Sequence, residues 1–175
     1  ILFVQPLLID EDKIDVKIAL NKRYYMYPPY GIGILNKVFR NNNYDSDILD
    51  LNFEIFNFIH NKKEVLAGDL TKAWKKKLSN VLINFDPDLV AVSCTFTMNH
   101  KNMMDIFQEV KSFNNKIITV AGGVHVSNAT EIVLKEGKNI DFANVYEGEV
   151  SFVDFVNFIN NKTGELSQLA FIKDN

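Results

Sequence analysis

The sequence predicts an α/β protein built on a central parallel sheet, and three observations support this fold class. Short apolar runs rich in β-branched residues recur along the chain. They alternate with longer stretches in which apolar residues repeat at helical spacing. Most of the apolar runs are followed by glycine, proline or small polar residues. This alternation is typical of a doubly wound sheet with right-handed crossovers and helices on both faces.

The fourth predicted strand is the best defined of five core strands. Residues Ile117–Ala121 form a near-continuous apolar run, as expected for a strand that is covered on both faces. The other core strands and a final edge strand are predicted at Ile1–Val4, Ser46–Leu51, Leu89–Val92, Asp141–Tyr146 and Leu169–Ile172. We expect the core strands in the order 2-1-3-4-5, in a three-layer α/β/α arrangement of the Rossmann-like or flavodoxin-like kind.

Helices are predicted between these strands and after the fifth. They are outlined by apolar residues within Ile34–Phe39, Leu66–Phe85, Met103–Phe113, Ala129–Glu136 and Phe152–Ile159. The segment Leu7–Tyr27 is longer than an ordinary connection, so it is either a functional lid or a small insertion, with a short helix at Lys13–Asn21. We interpret the aromatic-rich segment Phe53–Phe58 as a connector.

Composition excludes several classes of function. The chain has 175 residues, which is enough for one domain with a substantial core. A formal net charge of -3 argues against nucleic-acid binding as the main role. A single cysteine excludes a disulfide framework or a multi-cysteine metal site within this chain. Because no apolar run is long enough to span a bilayer, we expect a cytoplasmic protein that does not contact membranes.

Candidate ligand-binding residues follow the third and fourth predicted strands, where open α/β sheets bind their ligands. Gly122 and Gly123 would let a ligand approach the backbone closely, although a tight strand-to-helix turn explains an isolated glycine pair equally well. Ser93 and Thr95 lie two positions apart in an extended segment, so their hydroxyls point the same way. They would bind a ligand or cap the next helix.

Other familiar sites are missing from the sequence. There is no dinucleotide fingerprint and no Walker A motif. The histidines His60, His100 and His125 are far apart and make a poor metal set, so no metal-ligating residues are predicted. His125 is the only histidine predicted at the ligand-binding edge. Cys94 is expected to be a buried, small apolar residue.

Five segments, in order and at similar spacing, resemble the cobalamin-binding domain of B12-dependent radical SAM proteins. They are Tyr27–Leu35, Asp50–Asn52, Pro87–Ser93, Val120–His125 and Tyr146–Glu149. The resemblance extends over nearly the whole chain, and its last strand looks like the one that leads into a radical SAM barrel.

The resemblance implies that cobalamin lies over the carboxyl edge of the sheet, with its nucleotide tail in a slot near the glycine pair. It implies that Pro28–Gly33 face the corrin region and that residues after strands three, four and five line or edge the slot. The implied cofactor-binding residues are Pro28, Pro29, Gly31, Gly33, Ser93, Thr95, Gly122, Gly123, Val124, His125, Glu147 and Gly148.

One motif of classical cobalamin proteins is missing. The motif Asp-x-His-x-x-Gly supplies a histidine to cobalt after the first strand, and Leu7–Tyr27 contains no histidine. This departure weakens a mutase-like interpretation more than a radical SAM one. We therefore expect a cobalt without a nitrogen ligand from the protein.

Taken with the resemblance, the sequence predicts a cobalamin-binding module that positions B12 for methyl transfer or radical chemistry performed by a downstream domain. Residues 1–165 would form the module, which is not catalytic alone, and residues 166–175 an edge strand and the start of a linker. S-adenosylmethionine and a 4Fe–4S cluster would belong to the radical SAM domain, because this chain has only Cys94. The alternative is a non-catalytic flavodoxin-like domain that binds a flavin or nucleotide, or serves as a sensor or interaction module.

Overall fold

The apolar runs pair into one six-stranded sheet in a computed structural model, which describes residues 1–24, 26–62, 64–66, 68–161 and 169–171. The strands are β1 (Leu2–Gln5), β2 (Asp47–Asp50), β3 (Leu89–Ser93), β4 (Ile118–Gly122), β5 (Phe142–Asn144) and β6 (Leu169–Phe171). Their order is β2-β1-β3-β4-β5-β6, and β1 to β5 are parallel. The predicted fold class and the order 2-1-3-4-5 are confirmed.

The last strand closes the β5 edge of the sheet. β6 runs antiparallel to β5, with Ala143 opposite Ala170. An edge strand was predicted here, although residue 172 and most of the predicted linker lie outside the described residues. None of the helices in the described ranges is long and apolar enough to cross a bilayer.

Eight α-helices connect or flank the strands within the described residues. They are α1 (Val16–Leu20), α2 (Tyr30–Asn41), α3 (Leu51–Asn61), α4 (Asp69–Phe85), α5 (His100–Phe113), α6 (Val124–Asn128), α7 (Thr130–Glu136) and α8 (Gly148–Asn161). Short 3-10 turns at Glu11–Lys13 and Thr97–Asn99 precede α1 and α5.

The prediction of a connector at Phe53–Phe58 is wrong, because this segment lies within α3. Its buried residues Leu51, Ile55 and Ile59 recur every four positions, which places them on one face of a helix. The Asp50 carboxylate caps this helix by accepting a hydrogen bond from the backbone N–H of Phe53 at 3.0 Å. Aromatic side chains between the buried positions obscured the helical spacing.

The sheet separates two apolar clusters, since successive side chains of a strand point to opposite faces. Val4 and Val92 point into the larger cluster, beneath helices α3 to α7. Phe3 and Ala91 point into the smaller one, which α2 and α8 cover. The rings of Phe3, Phe39 and Phe152 meet there with centroids 5.2–6.0 Å apart.

The first part of the long segment after β1 packs on the α3/α4 side of the sheet. The carbonyl of Leu7 accepts hydrogen bonds from the buried side chains of Asn99 and Asn102 at 2.9 and 3.0 Å. Further along, Ala19 is buried and the ring of Tyr24 packs on Phe56 at 5.2 Å. These contacts favour an insertion over a lid, because they hold the segment on the face opposite α2 and α8.

Candidate functional site

A cavity of about 450 Å³ opens at the carboxyl edge of the sheet, on the side covered by α2 and α8. We call it the α2/α8 cavity. Its floor is apolar and consists of side chains from the sheet and α8, namely Phe3, Ala91, Val120 and Phe152. One wall is the first turns of α2, with Gly31, Ile32 and Leu35. The size and apolar floor are those of a pocket for a small molecule.

Polar groups lie at the mouth of this cavity. Ser93 and Thr95 both line it, as the alternation of side chains along an extended segment predicts. Within the described residues, neither hydroxyl has a hydrogen-bond partner, nor does the side chain of Asn128, which also lines the cavity. These three groups are available to a ligand.

Acidic residues occupy the opposite rim, where α8 begins. Glu147, Gly148 and Glu149 line the cavity, and no lysine or arginine does so among the residues that the structure describes. A ligand with several phosphates would find no opposing charge here. The cavity therefore suits a ligand whose inserted part is largely uncharged.

The two glycines that end β4 have different roles. Gly122 lines the cavity on the same face as Val120, and a Cβ added to it would meet only the carbonyl of Asn144, at 3.8 Å. Gly123 has a φ of 102°, and its Cβ would lie 2.6 Å from the carbonyl oxygen of Cys94. Gly122 thus leaves space for a ligand, whereas Gly123 is required by the turn itself.

The backbone of Cys94 holds this turn in place. Its N–H donates to the carbonyl of Gly122 at 2.7 Å, and its carbonyl accepts from the N–H of His125 at 3.1 Å. The thiol is buried, and burial raises the pKa of Cys94 to about 12. Cys94 therefore stays protonated and fills core space, as the sequence predicts, and it is not a nucleophile.

Tyr146 forms part of the rim between β5 and α8. Its ring is exposed and lines the cavity, and its backbone has a φ of 61°, which is uncommon for a residue with a side chain. The hydroxyl of Ser127 accepts a hydrogen bond from the Tyr146 N–H at 2.7 Å and donates to the carbonyl of Gly123 at 3.3 Å. This link fixes the rim relative to the glycine turn.

His125 points away from the α2/α8 cavity, and its side chain is buried on the other face of the sheet. Its Nε2 lies 2.8 Å from Nδ1 of His100 at the start of α5. The expectation that the histidines are far apart is wrong for this pair, because sequence distance says nothing about contacts between α5 and α6. His125 is also not the only histidine at this edge.

Three other predicted site residues do not line the cavity. Pro28 and Pro29 precede α2, where Pro29 is the N-cap residue, and Gly33 lies on an exposed face of that helix. The predicted residues that the structure brings together around the cavity are Gly31, Ser93, Thr95, Gly122, Gly123, Val124, Glu147 and Gly148.

Sequence reasoning missed most of the floor and part of the rim. Phe3, Ala91 and Val120 are core residues by composition, and only their shared face of the sheet links them to the site. Strand alternation, counted back from Ser93 and Gly122, would have found Ala91 and Val120.

Comparison with known protein families agrees with this geometry. Residues 16–156 match the family model described as the B12 binding domain. The chain belongs to the B12-binding domain family. A protein named as an uncharacterized methyltransferase, from Pyrococcus horikoshii, is 28% identical to this B12-binding domain over 95 residues. The match covers 54% of the domain but only 20% of that protein, so the domain spans about a fifth of its curated relative.

The same substitution at the two glycines should affect stability to different extents. Gly123→Ala places a Cβ against the Cys94 backbone at positive φ, so we expect it to lower the free energy of unfolding by about 1–3 kcal/mol. Gly122→Ala meets open space and should change it by less than about 1 kcal/mol. Thermal and urea denaturation of both variants without ligand test this. Equal losses in the two variants would contradict the division of roles.

Proposed function

We propose that this B12-binding domain holds cobalamin with the nucleotide tail of the cofactor inserted into the α2/α8 cavity. The observation that best supports the proposal is that Gly122 lies beside the apolar floor of the cavity and leaves open space there. A flat heterocycle can therefore lie against the backbone. Membership of the B12-binding family supports the same ligand.

The lining residues fit the chemistry of such a tail. An apolar floor of Phe3, Val120 and Phe152 suits an aromatic base, and the unpartnered hydroxyls of Ser93 and Thr95 suit ribose or phosphate oxygens at the mouth. A single phosphodiester can remain partly hydrated at the open end, so the lack of a lysine or arginine among the described lining residues is tolerable there.

Exposed aromatic side chains in or next to the segments that border the cavity suit the corrin ring. Tyr27, Tyr30 and Tyr146 are 70–79% exposed, and Phe96 is 55% exposed. Tyr30 begins α2 and Tyr146 precedes α8, so both stand at the end of an element that borders the cavity. A large planar macrocycle would cover apolar surface of this kind, which is costly to leave in water.

The bound cofactor supplies a cobalt centre that can carry a methyl group or assist radical chemistry. The residues of this chain bind and orient it, and none of the described residues that line the cavity is a cysteine or histidine positioned as a nucleophile. We propose that the reaction is performed by a radical SAM domain on the same polypeptide. The similarity to a protein named as a methyltransferase supports this setting, as do the motifs at Tyr27–Leu35 and Tyr146–Glu149.

A side chain at Gly122 should block tail insertion. We expect Gly122→Leu to weaken hydroxocobalamin binding at least tenfold, since the added atoms occupy the cavity beside Val120. Gly33→Leu is the matched control, because Gly33 also has open space but does not line the cavity. Visible spectra during titration give the affinities.

Flavin mononucleotide should be titrated in parallel with the parent protein. Tight flavin binding that Gly122→Leu abolishes, with no binding of hydroxocobalamin, would favour the flavodoxin-like alternative. The acidic rim at Glu147 and Glu149 argues against that outcome, because a phosphate monoester carries up to two negative charges.

The cobalt should have no nitrogen ligand from this chain. Leu7–Tyr27 has no histidine, and the imidazoles of His100 and His125 are hydrogen-bonded to each other. In the cobalt(II) state, electron paramagnetic resonance of the loaded protein should therefore show cobalt lines without a threefold nitrogen splitting. A splitting that disappears in His125→Ala would show that the cofactor binds in another orientation.

The proposal that a radical SAM domain performs the reaction is tested separately, with the natural full-length polypeptide. Purified without oxygen, that protein should contain about four iron atoms and four sulfides per chain, as a 4Fe–4S cluster requires. Iron-free protein that still binds cobalamin would contradict the radical SAM proposal and leave cofactor binding intact.

A further inference from the structure

A continuous chain of four polar side chains lies at the carboxyl edge, on the face opposite the α2/α8 cavity. Thr97 Oγ1 lies 3.2 Å from His125 Nδ1, and His125 Nε2 lies 2.8 Å from His100 Nδ1. His100 Nε2 lies 3.1 Å from a carboxylate oxygen of Glu136. The two imidazole planes are perpendicular, with centroids 5.1 Å apart. Every nitrogen of both imidazoles therefore has a partner.

When both imidazoles are neutral, the ionised carboxylate of Glu136 determines which atom donates in each hydrogen bond of this series. Glu136 can only accept a hydrogen bond, so His100 Nε2 carries a hydrogen and His100 Nδ1 is an acceptor. His125 Nε2 must then donate to His100, which leaves His125 Nδ1 to accept from the Thr97 hydroxyl. In this state Thr97 donates inward and presents only oxygen lone pairs to the outside.

One added proton reverses donor and acceptor in the hydrogen bonds from His100 to His125 and from His125 to Thr97, and no heavy atom has to move. The proton belongs on His100, because Glu136 contacts that ring, while burial and the charge of His100 lower the pKa of His125. His100 Nδ1 then donates to His125 Nε2, and His125 Nδ1 donates to the oxygen of Thr97. The Thr97 hydroxyl then no longer donates to His125 and becomes an outward donor. A second proton would place two N–H groups against each other and break the pair.

Few other charges act on this pair. On α5, Lys101 pairs with Asp105, Glu109 pairs with Lys75 of α4, and Lys111 pairs with Asp141. β4 and β5 have no charged side chain, and His125 is the only titratable group of α6. On α7, Glu131 and Lys135 form no ion pair with either imidazole within the described residues. Glu136 is the charge that contacts the pair.

Thr97 faces a second cavity of about 480 Å³, which we call the histidine cavity. Its apolar wall is formed by Val124, Ala129 and Ile132. Thr95 and Asn128 line it together with Thr97, and neither the Thr95 hydroxyl nor the Asn128 amide has a hydrogen-bond partner within the described residues. His100, His125 and the carboxylate of Glu136 complete the lining. The cavity thus combines a small apolar wall with three polar groups that can donate hydrogen bonds when the histidine pair is protonated.

We propose that the histidine cavity binds the carboxylate of a small molecule, and that binding takes up one proton on the His100–His125 pair. A carboxylate only accepts hydrogen bonds, so it matches the protonated chain, in which Thr97 is an outward donor. It does not match the neutral state of the histidine pair, because Thr97 then presents only lone pairs and two acceptors would face each other. Protonation of the pair also offsets the negative charge of Glu136, which lines the same cavity and would otherwise repel the anion.

Proton uptake makes binding depend on pH in a defined direction. Because the bound state holds one more proton than the free state, affinity rises as the pH falls. For one linked proton, the change is at most about tenfold per pH unit. The carboxylate of the ligand stays ionised at about pH 6, since its own pKa lies near 4–5.

Isobutyrate is a suitable probe, because its branched alkyl group matches the apolar wall. We expect nuclear magnetic resonance titration of the parent protein to show both histidine rings shifting together, with binding at least tenfold tighter near pH 6 than near pH 8. Isobutyramide, which can donate as well as accept, should bind with little dependence on pH.

Two variants separate the proposal from a nonspecific anion effect. Thr97→Val removes the outward donor and should weaken isobutyrate binding about tenfold near pH 6, the loss of one charge-assisted hydrogen bond. His100→Gln should abolish the pH dependence, while His60→Gln, the matched control on α3, should retain it. Circular dichroism confirms that each variant is folded.

The outcomes are independent of cobalamin binding, since the protein is used without cofactor. Equal affinity near pH 6 and pH 8, no shift of the His100 and His125 resonances, or unchanged binding by Thr97→Val would each overturn the proposal. Isobutyrate that shifts only residues of the α2/α8 cavity would overturn it as well.

Discussion

The structure at the carboxyl edge depends on one close contact, that of Gly123 with the backbone of Cys94. Hydrogen bonds from the Cys94 N–H to Gly122 and from the His125 N–H to the Cys94 carbonyl hold the loops after β3 and β4 together. No side chain fits at position 123, since its Cβ would lie 2.6 Å from a carbonyl oxygen. Gly123 lines the α2/α8 cavity and His125 lines the histidine cavity, so this contact sets the position of both.

The two cavities have part of their lining in common. Thr95, Val124 and Asn128 line both of them. A cofactor in one cavity and a carboxylate in the other would therefore touch opposite sides of the same residues. Both cavities lie beyond the carboxyl ends of the strands, where open α/β sheets bind their ligands.

The sequence was sufficient to predict the sheet and part of the site. Strands such as Ile117–Ala121 were found because an interior parallel strand must be apolar on both faces. Helix α3 was missed, since aromatic residues between its buried positions hid the spacing of Leu51, Ile55 and Ile59. The His100–His125 contact depends on how α5 and α6 approach each other, which no local pattern encodes. The different roles of Gly122 and Gly123 depend on a backbone angle and on a neighbouring strand.

The two apolar clusters on either side of the sheet differ in extent, and this asymmetry predicts which helices open first. The larger cluster, beneath α3 to α7, contains most of the described core residues, including Trp74 and Phe107. The smaller one is held largely by the aromatic contacts of Phe39 and Phe152 and opens into the α2/α8 cavity. Local opening should therefore begin in α2 and α8, whose amides would exchange with solvent while the opposite layer stays folded. A bulky ligand could enter through such fluctuations without global unfolding, and substitutions in these two helices could alter ligand preference at little risk to the fold.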